Sequence, residues 1–178
     1  DPLLLRVLYM RAKTRNISIT SLLIALTVVL LYIASIIPSA RIAAVAVAGL
    51  MTAAAVIECG ILSAVACFAC SSILAMLLLP LKSVALLYIL FFGYYPIIKS
   101  LTERVDKRVL EWAIKIAVFN ASLTLVYFLW KSGFMTGIDL EAWMISLLYA
   151  AGNLIFVLYD IAFSALAGQY TERIHKKR

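Results

Sequence analysis

The sequence predicts an all-α, polytopic membrane protein: six transmembrane helices in one bundle, with both termini cytoplasmic. Three observations lead there. Hydrophobic residues make up 65% of the 178 residues and the mean hydropathy is +1.05, whereas a soluble domain is roughly half apolar. These residues gather into six stretches, each near the ~20 residues that a spanning helix needs. Lysine and arginine collect on one side of the crossings, as the positive-inside rule requires of cytoplasmic loops.

The elements follow in order. Pro2 to Met10 is apolar but is interrupted by Arg6 and followed by no small-residue cleavage site, which predicts an interfacial helix rather than a cleavable signal. The first span covers about 17–37 and stops at Pro38. The next apolar run, Ile42 to Leu79, is too long for one crossing, so Glu58, Cys59 and Gly60 divide it into spans at about 42–57 and 61–79. Pro80 and Lys82 precede a fourth span at about 84–98, after which Lys99, Arg104, Lys107 and Arg108 form a basic loop. Spans at about 109–130 and 143–167 complete the set, giving a single six-helix domain over 1–178.

Six crossings place both termini on one side, which makes the charge distribution a check on the count. One side collects Arg6, Arg11, Lys13, Arg15, Lys99, Arg104, Lys107, Arg108, Arg173, Lys176, Lys177 and Arg178. The other holds Arg41, Lys82 and Lys131. Shifting the count by one helix would scatter this asymmetry. Trp130 and Trp143 at outer span ends and Trp112 at an inner end match an interfacial aromatic belt. The net charge of +7 therefore reflects topology and anionic lipid headgroups, and no nucleic-acid partner is expected.

Polar residues inside the later spans fall at helical spacing. Span four carries Tyr88, Phe92, Tyr95 and Lys99; span five carries Asn120, Thr124, Tyr127 and Lys131; span six carries Tyr149, Asn153, Phe156 and Asp160. Polar groups are costly in hydrocarbon unless paired or facing a wet cavity, so these stripes should face one another. Two readings stand: a lined hollow between spans four, five and six, or interhelical hydrogen bonds that hold those spans together. Lys115 and Asp160, opposite in charge and at similar depth in consecutive spans, are expected to form a structural ion pair.

Spans one to three are poor in polar residues and rich in small ones, including Ser21, Ala25, Ala64 and Ala69. Small side chains let helix backbones approach closely, either within the bundle or on a face where another membrane protein docks. Little in the sequence suggests catalysis. Cys67 and Cys70 form a C-x-x-C, but they lie mid-span, where thiolates form poorly, and only Cys59 could add a further thiol ligand to a metal. The single histidine, His175, lies in the basic tail, and no phosphate loop, His-Glu zinc motif or serine-centred arrangement occurs. The expectation is a non-enzyme with no catalytic residue, no metal and no cofactor.

Size, six spans, cytoplasmic termini, small-residue helices one to three and polar stripes on four to six together resemble the substrate-binding (S) components of energy-coupling factor (ECF) transporters. The likeness is architectural and covers essentially the whole chain. It implies capture of a vitamin or similar micronutrient from outside the bacterial plasma membrane, with a transmembrane coupling subunit and two cytoplasmic ATPase subunits as partners. On this resemblance Ser21, Ala25, Ala64 and Ala69 would dock to the coupling subunit, although the family's paired alanines of the first helix stand here as Ser21 with Ala25. Tyr88, Asn120, Thr124, Tyr127, Tyr149 and Asn153 would line the site, with Arg41, Lys82 and Lys131 at its mouth. Aromatic walls and three outer cations would suit an aromatic or anionic cofactor precursor. Cobalt or nickel is disfavoured, since no histidine faces outward. The alternatives are a non-transporting membrane scaffold of the MreD-like kind, and a membrane thiol oxidoreductase using Cys67 and Cys70.

Overall fold

Each described apolar stretch is helical, because a backbone in lipid must satisfy its own hydrogen bonds. The computed structural model describes residues 2–103, 108–131 and 142–175. Its elements are α1 (Pro2–Ile36), α2 (Arg41–Cys59), α3 (Ile61–Leu78), α4 (Lys82–Leu87), a π-helical turn (Tyr88–Phe92), α5 (Tyr95–Thr102), α6 (Arg108–Lys131) and α7 (Ala142–His175). Among the described residues six helical stretches are long and apolar enough to cross a membrane, and the protein is an all-α, multi-pass membrane protein. The fourth of these stretches, Lys82–Thr102, comprises α4, the π-turn and α5.

The joints sit where local chemistry puts them. Pro38 follows the end of α1 at Ile36. Gly60 separates α2 from α3 with φ of 86°, a left-handed conformation that strains any residue with a Cβ. Leu79 and Pro80 close α3, and the Lys82 ammonium donates to the carbonyls of Met76 and Leu79, which the helix end leaves without intrahelical partners.

Two departures from the sequence reading concern continuity. The stretch before the first span is no separate interfacial helix, because α1 runs unbroken from Pro2 to Ile36. The basic loop begins later than Lys99, which lies within α5 and is only 4% exposed.

The chain divides into two compact units, Asp1–Leu101 and Thr102–Arg178. In the first, α1 packs on α2 and α3, and α2 packs on the π-turn. Its core joins Leu31, Val45, Ala48, Ala75, Leu79, Val84 and Tyr88. A neighbouring cluster holds Ala55, Ala64, Cys67 and Ile97. Close approach is made possible by two glycines. A Cβ on Gly49 would stand 2.8 Å from the Phe92 carbonyl oxygen, and one on Gly93 would stand 2.7 Å from the Phe68 ring. In the second unit α6 and α7 pack against each other, with Phe119 and Phe156 stacked at 4.5 Å between ring centres.

Candidate functional site

The polar residues of spans five and six do meet, and they meet as pairs. Asn120 and Asn153 exchange two amide hydrogen bonds: Asn120 Nδ2 donates to Asn153 Oδ1 at 3.0 Å and Asn153 Nδ2 donates to Asn120 Oδ1 at 3.1 Å. Each amide also donates to a carbonyl one turn back, Ile116 and Tyr149 respectively. One turn along, the Thr124 and Tyr149 hydroxyls lie 2.8 Å apart, and Thr124 donates to the Asn120 carbonyl as well. These four side chains therefore form a ladder between two helices, with its main hydrogen-bonding groups engaged by protein. Tyr127 is half-buried, its ring edge-on to Phe128 at 6.0 Å.

Deeper in the same pair of helices, charge is enclosed. Lys115 Nζ lies 3.4 Å from Asp160 Oδ1 and also bonds Glu111 on its own helix. The Lys115 side chain is 1% exposed and that of Asp160 is 6% exposed. The Trp112 ring lies 5.6 Å from the ammonium and adds a cation–π contact. Such a cluster holds together because Lys115 is opposed by carboxylates rather than left as a lone charge in hydrocarbon. Glu111 was overlooked in the sequence reading, yet its spacing of four residues from Lys115 is the signal that identifies it.

Tyr88 has another set of neighbours. It is fully enclosed in the first unit, with its hydroxyl 3.1 Å from Thr52 Oγ1 and 2.9 Å from Ser71 Oγ. The reading of span four as one regular stripe fails here for a physical reason. Gly93 N–H donates to the Tyr88 carbonyl five residues back, and this wide turn adds a residue that re-aims everything after it by about 100° relative to a regular α-helix. Thr52 and Ser71 were missed because they sit in helices whose small-residue content reads as smooth surface.

The three cations that the sequence reading placed at the mouth differ from one another. Lys82 bonds the end of α3 as described, and Lys131 is exposed in the last turn of α6. Arg41 is half-buried at the start of α2, and its Nε has no hydrogen-bond partner among the described residues. Of the residues assigned to docking, Ser21, Ala25 and Ala69 are exposed, whereas Ala64 is fully buried. Cys67 is buried and Cys70 exposed on the same helix, and both are free thiols. Among the described residues no group of three or more His, Cys, Asp or Glu is placed to hold a metal ion. Comparisons with family models, curated proteins and solved structures find no match to this chain.

Proposed function

We propose that this chain is a non-enzymatic membrane subunit that works through a second membrane protein, in the form of a substrate-capture subunit of the energy-coupling-factor type in the plasma membrane. The observation that supports a membrane partner is the outward face of α1 and α3. Ser21 and Ala25 on α1, and Ala66 and Ala69 on α3, are all exposed and all small. Positions of this kind let a partner helix approach the backbone closely, which is the main source of helix association in lipid. Ala64 falls outside that face, since it packs with Ala55, Cys67 and Ile97.

On this reading a coupling subunit docks on α1 and α3, two cytoplasmic ATPases supply the energy, and a small solute enters from the outer side. Arg41 is the residue best suited to an anionic group on that solute, because its Nε is buried without an acceptor among the described residues.

A second reading is favoured by a specific observation. Asn120 and Asn153 satisfy each other, as Thr124 and Tyr149 do, and this is what interhelical bonding in a scaffold that binds no solute would look like. Native mass spectrometry of gently purified protein separates the two. A retained small molecule that is lost in Arg41→Gln, with an unchanged unfolding temperature, supports capture. A preparation free of any small molecule, still recovered with a membrane partner that is lost in Ala25→Leu, selects the scaffold.

A further inference from the structure

A cleft of about 560 Å³ opens between α1 and α3, with the end of α2 at its edge. Its polar lining comprises Lys13, Asn16, Thr20, Ser21 and Ser63. Thr20 is the informative residue. It is only 8% exposed, and its hydroxyl has no hydrogen-bond partner among the described residues. Elsewhere on α1 the hydroxyls of Thr14, Ser18, Thr27 and Ser35 each donate to the carbonyl four residues earlier. The equivalent acceptor for Thr20, the Asn16 carbonyl, instead receives the Cys59 thiol at 3.7 Å. A buried hydroxyl is thus left for the cleft, at a depth where an unmet hydrogen bond is costly.

The cleft is graded in polarity along the membrane normal. Lys13 begins the membrane-length part of α1, and Thr20, seven residues on, lies ~10 Å deeper at the helical rise. On the facing helix Ser63 is half-buried, and Ala66, further along α3 from its start, is exposed. A cation at the mouth, neutral donors below it and an apolar flank match the order of groups in a phospholipid: phosphate, ester carbonyls, acyl chain. Arg11 and Arg15, both exposed beside Lys13, raise the positive potential at that end.

The geometry points to a binding site for one anionic phospholipid between α1 and α3. Lys13 meets the headgroup phosphate, Thr20 and Ser63 donate to ester carbonyl oxygens, and an acyl chain runs on past Ala66. The site is independent of the functional proposal, since the bilayer supplies this ligand whichever partner the chain has. Ser21 and Ala66 belong both to the cleft and to the small-residue face, so a bound lipid would lie against any docked partner.

The test uses the full chain in nanodiscs of phosphatidylcholine containing phosphatidylglycerol, with retained lipid measured by native mass spectrometry. Preferential retention of phosphatidylglycerol is expected, falling ~5-fold in Thr20→Val through loss of one hydrogen bond and ~5-fold in Lys13→Gln through loss of one charge. Thr20→Val removes an unpaired hydroxyl with little change of shape, so its unfolding temperature in lipid-free detergent should hold or rise. Equal retention of the two lipids, or unchanged retention in Thr20→Val, overturns the proposal. Displacement of the retained lipid by inorganic phosphate alone also overturns it, by assigning the cleft to a soluble anion. Crosslinking from position 63 to a membrane polypeptide instead of lipid assigns it to a protein partner, with the same consequence.

Discussion

Tyr88 is a large side chain that a membrane interior accepts only because its hydroxyl is met. Thr52 and Ser71 supply the partners, and Ser71 in turn donates to the Cys67 carbonyl. Tyr88→Phe should therefore lower stability by about 1 kcal/mol, the net value of a typical buried hydrogen bond, as measured by denaturant unfolding in detergent. Lys115 carries more. Lys115→Met would leave Asp160 and Glu111 without their cation, and removing one partner of a buried pair costs about 3 to 5 kcal/mol. The double change Lys115→Met with Asp160→Asn should recover part of that loss in the same assay. A double variant no more stable than Lys115→Met would show that the two residues do not act as a pair.

Elements, unlike residues, are shaped by where backbones touch. The π-turn is set against α2 at Gly49 and against Phe68 of α3 at Gly93, and both contacts leave no room for a methyl group. Gly93→Ala should destabilise by about 1 to 3 kcal/mol, the usual cost of overpacking. Gly49→Ala should cost at least as much, because the obstructing atom is a backbone oxygen that cannot swing aside. The α6–α7 pair is joined differently, by the amide exchange between Asn120 and Asn153. A double-mutant cycle with leucine at both positions should return a coupling of ~0.6 kcal/mol, the average for membrane helices, with ~1.7 as the upper end. A coupling of zero would mean that the two amides do not bond each other in the membrane.

The whole molecule has six helical stretches of membrane-crossing length among its described residues, and the positive-inside rule predicts that both termini face inward. Reporter fusions at Arg178 and in the segment after Lys131 should accordingly read as cytoplasmic and external. Moving Arg104 and Lys107 into the segment after Lys131 should yield a mixture of orientations.

Much of this was legible in the sequence. Pro38, Gly60 and Pro80 mark the joints because a ring without an N–H and a residue without a Cβ act on the backbone locally, whatever surrounds them. The pairing of Lys115 with Asp160 was legible too, since a charge in hydrocarbon leaves few options. Tyr88, Thr52 and Ser71 were not. An α-helical period carries no sign that one turn will be π-helical, and small polar residues resemble alanine in a hydropathy sum.

The sequence by itself determined the solvent, the number of membrane-length stretches and the joints at Pro38, Gly60 and Pro80, because hydropathy and helix breaking are read off consecutive residues. Only the tertiary structure decided which polar groups answer one another: Asn120 with Asn153, Tyr88 with Thr52 and Ser71, and Thr20 with a cleft and no partner among the described residues. A hydrogen bond depends on distance and direction between groups far apart in the chain, so its partners exist only once the helix faces have met.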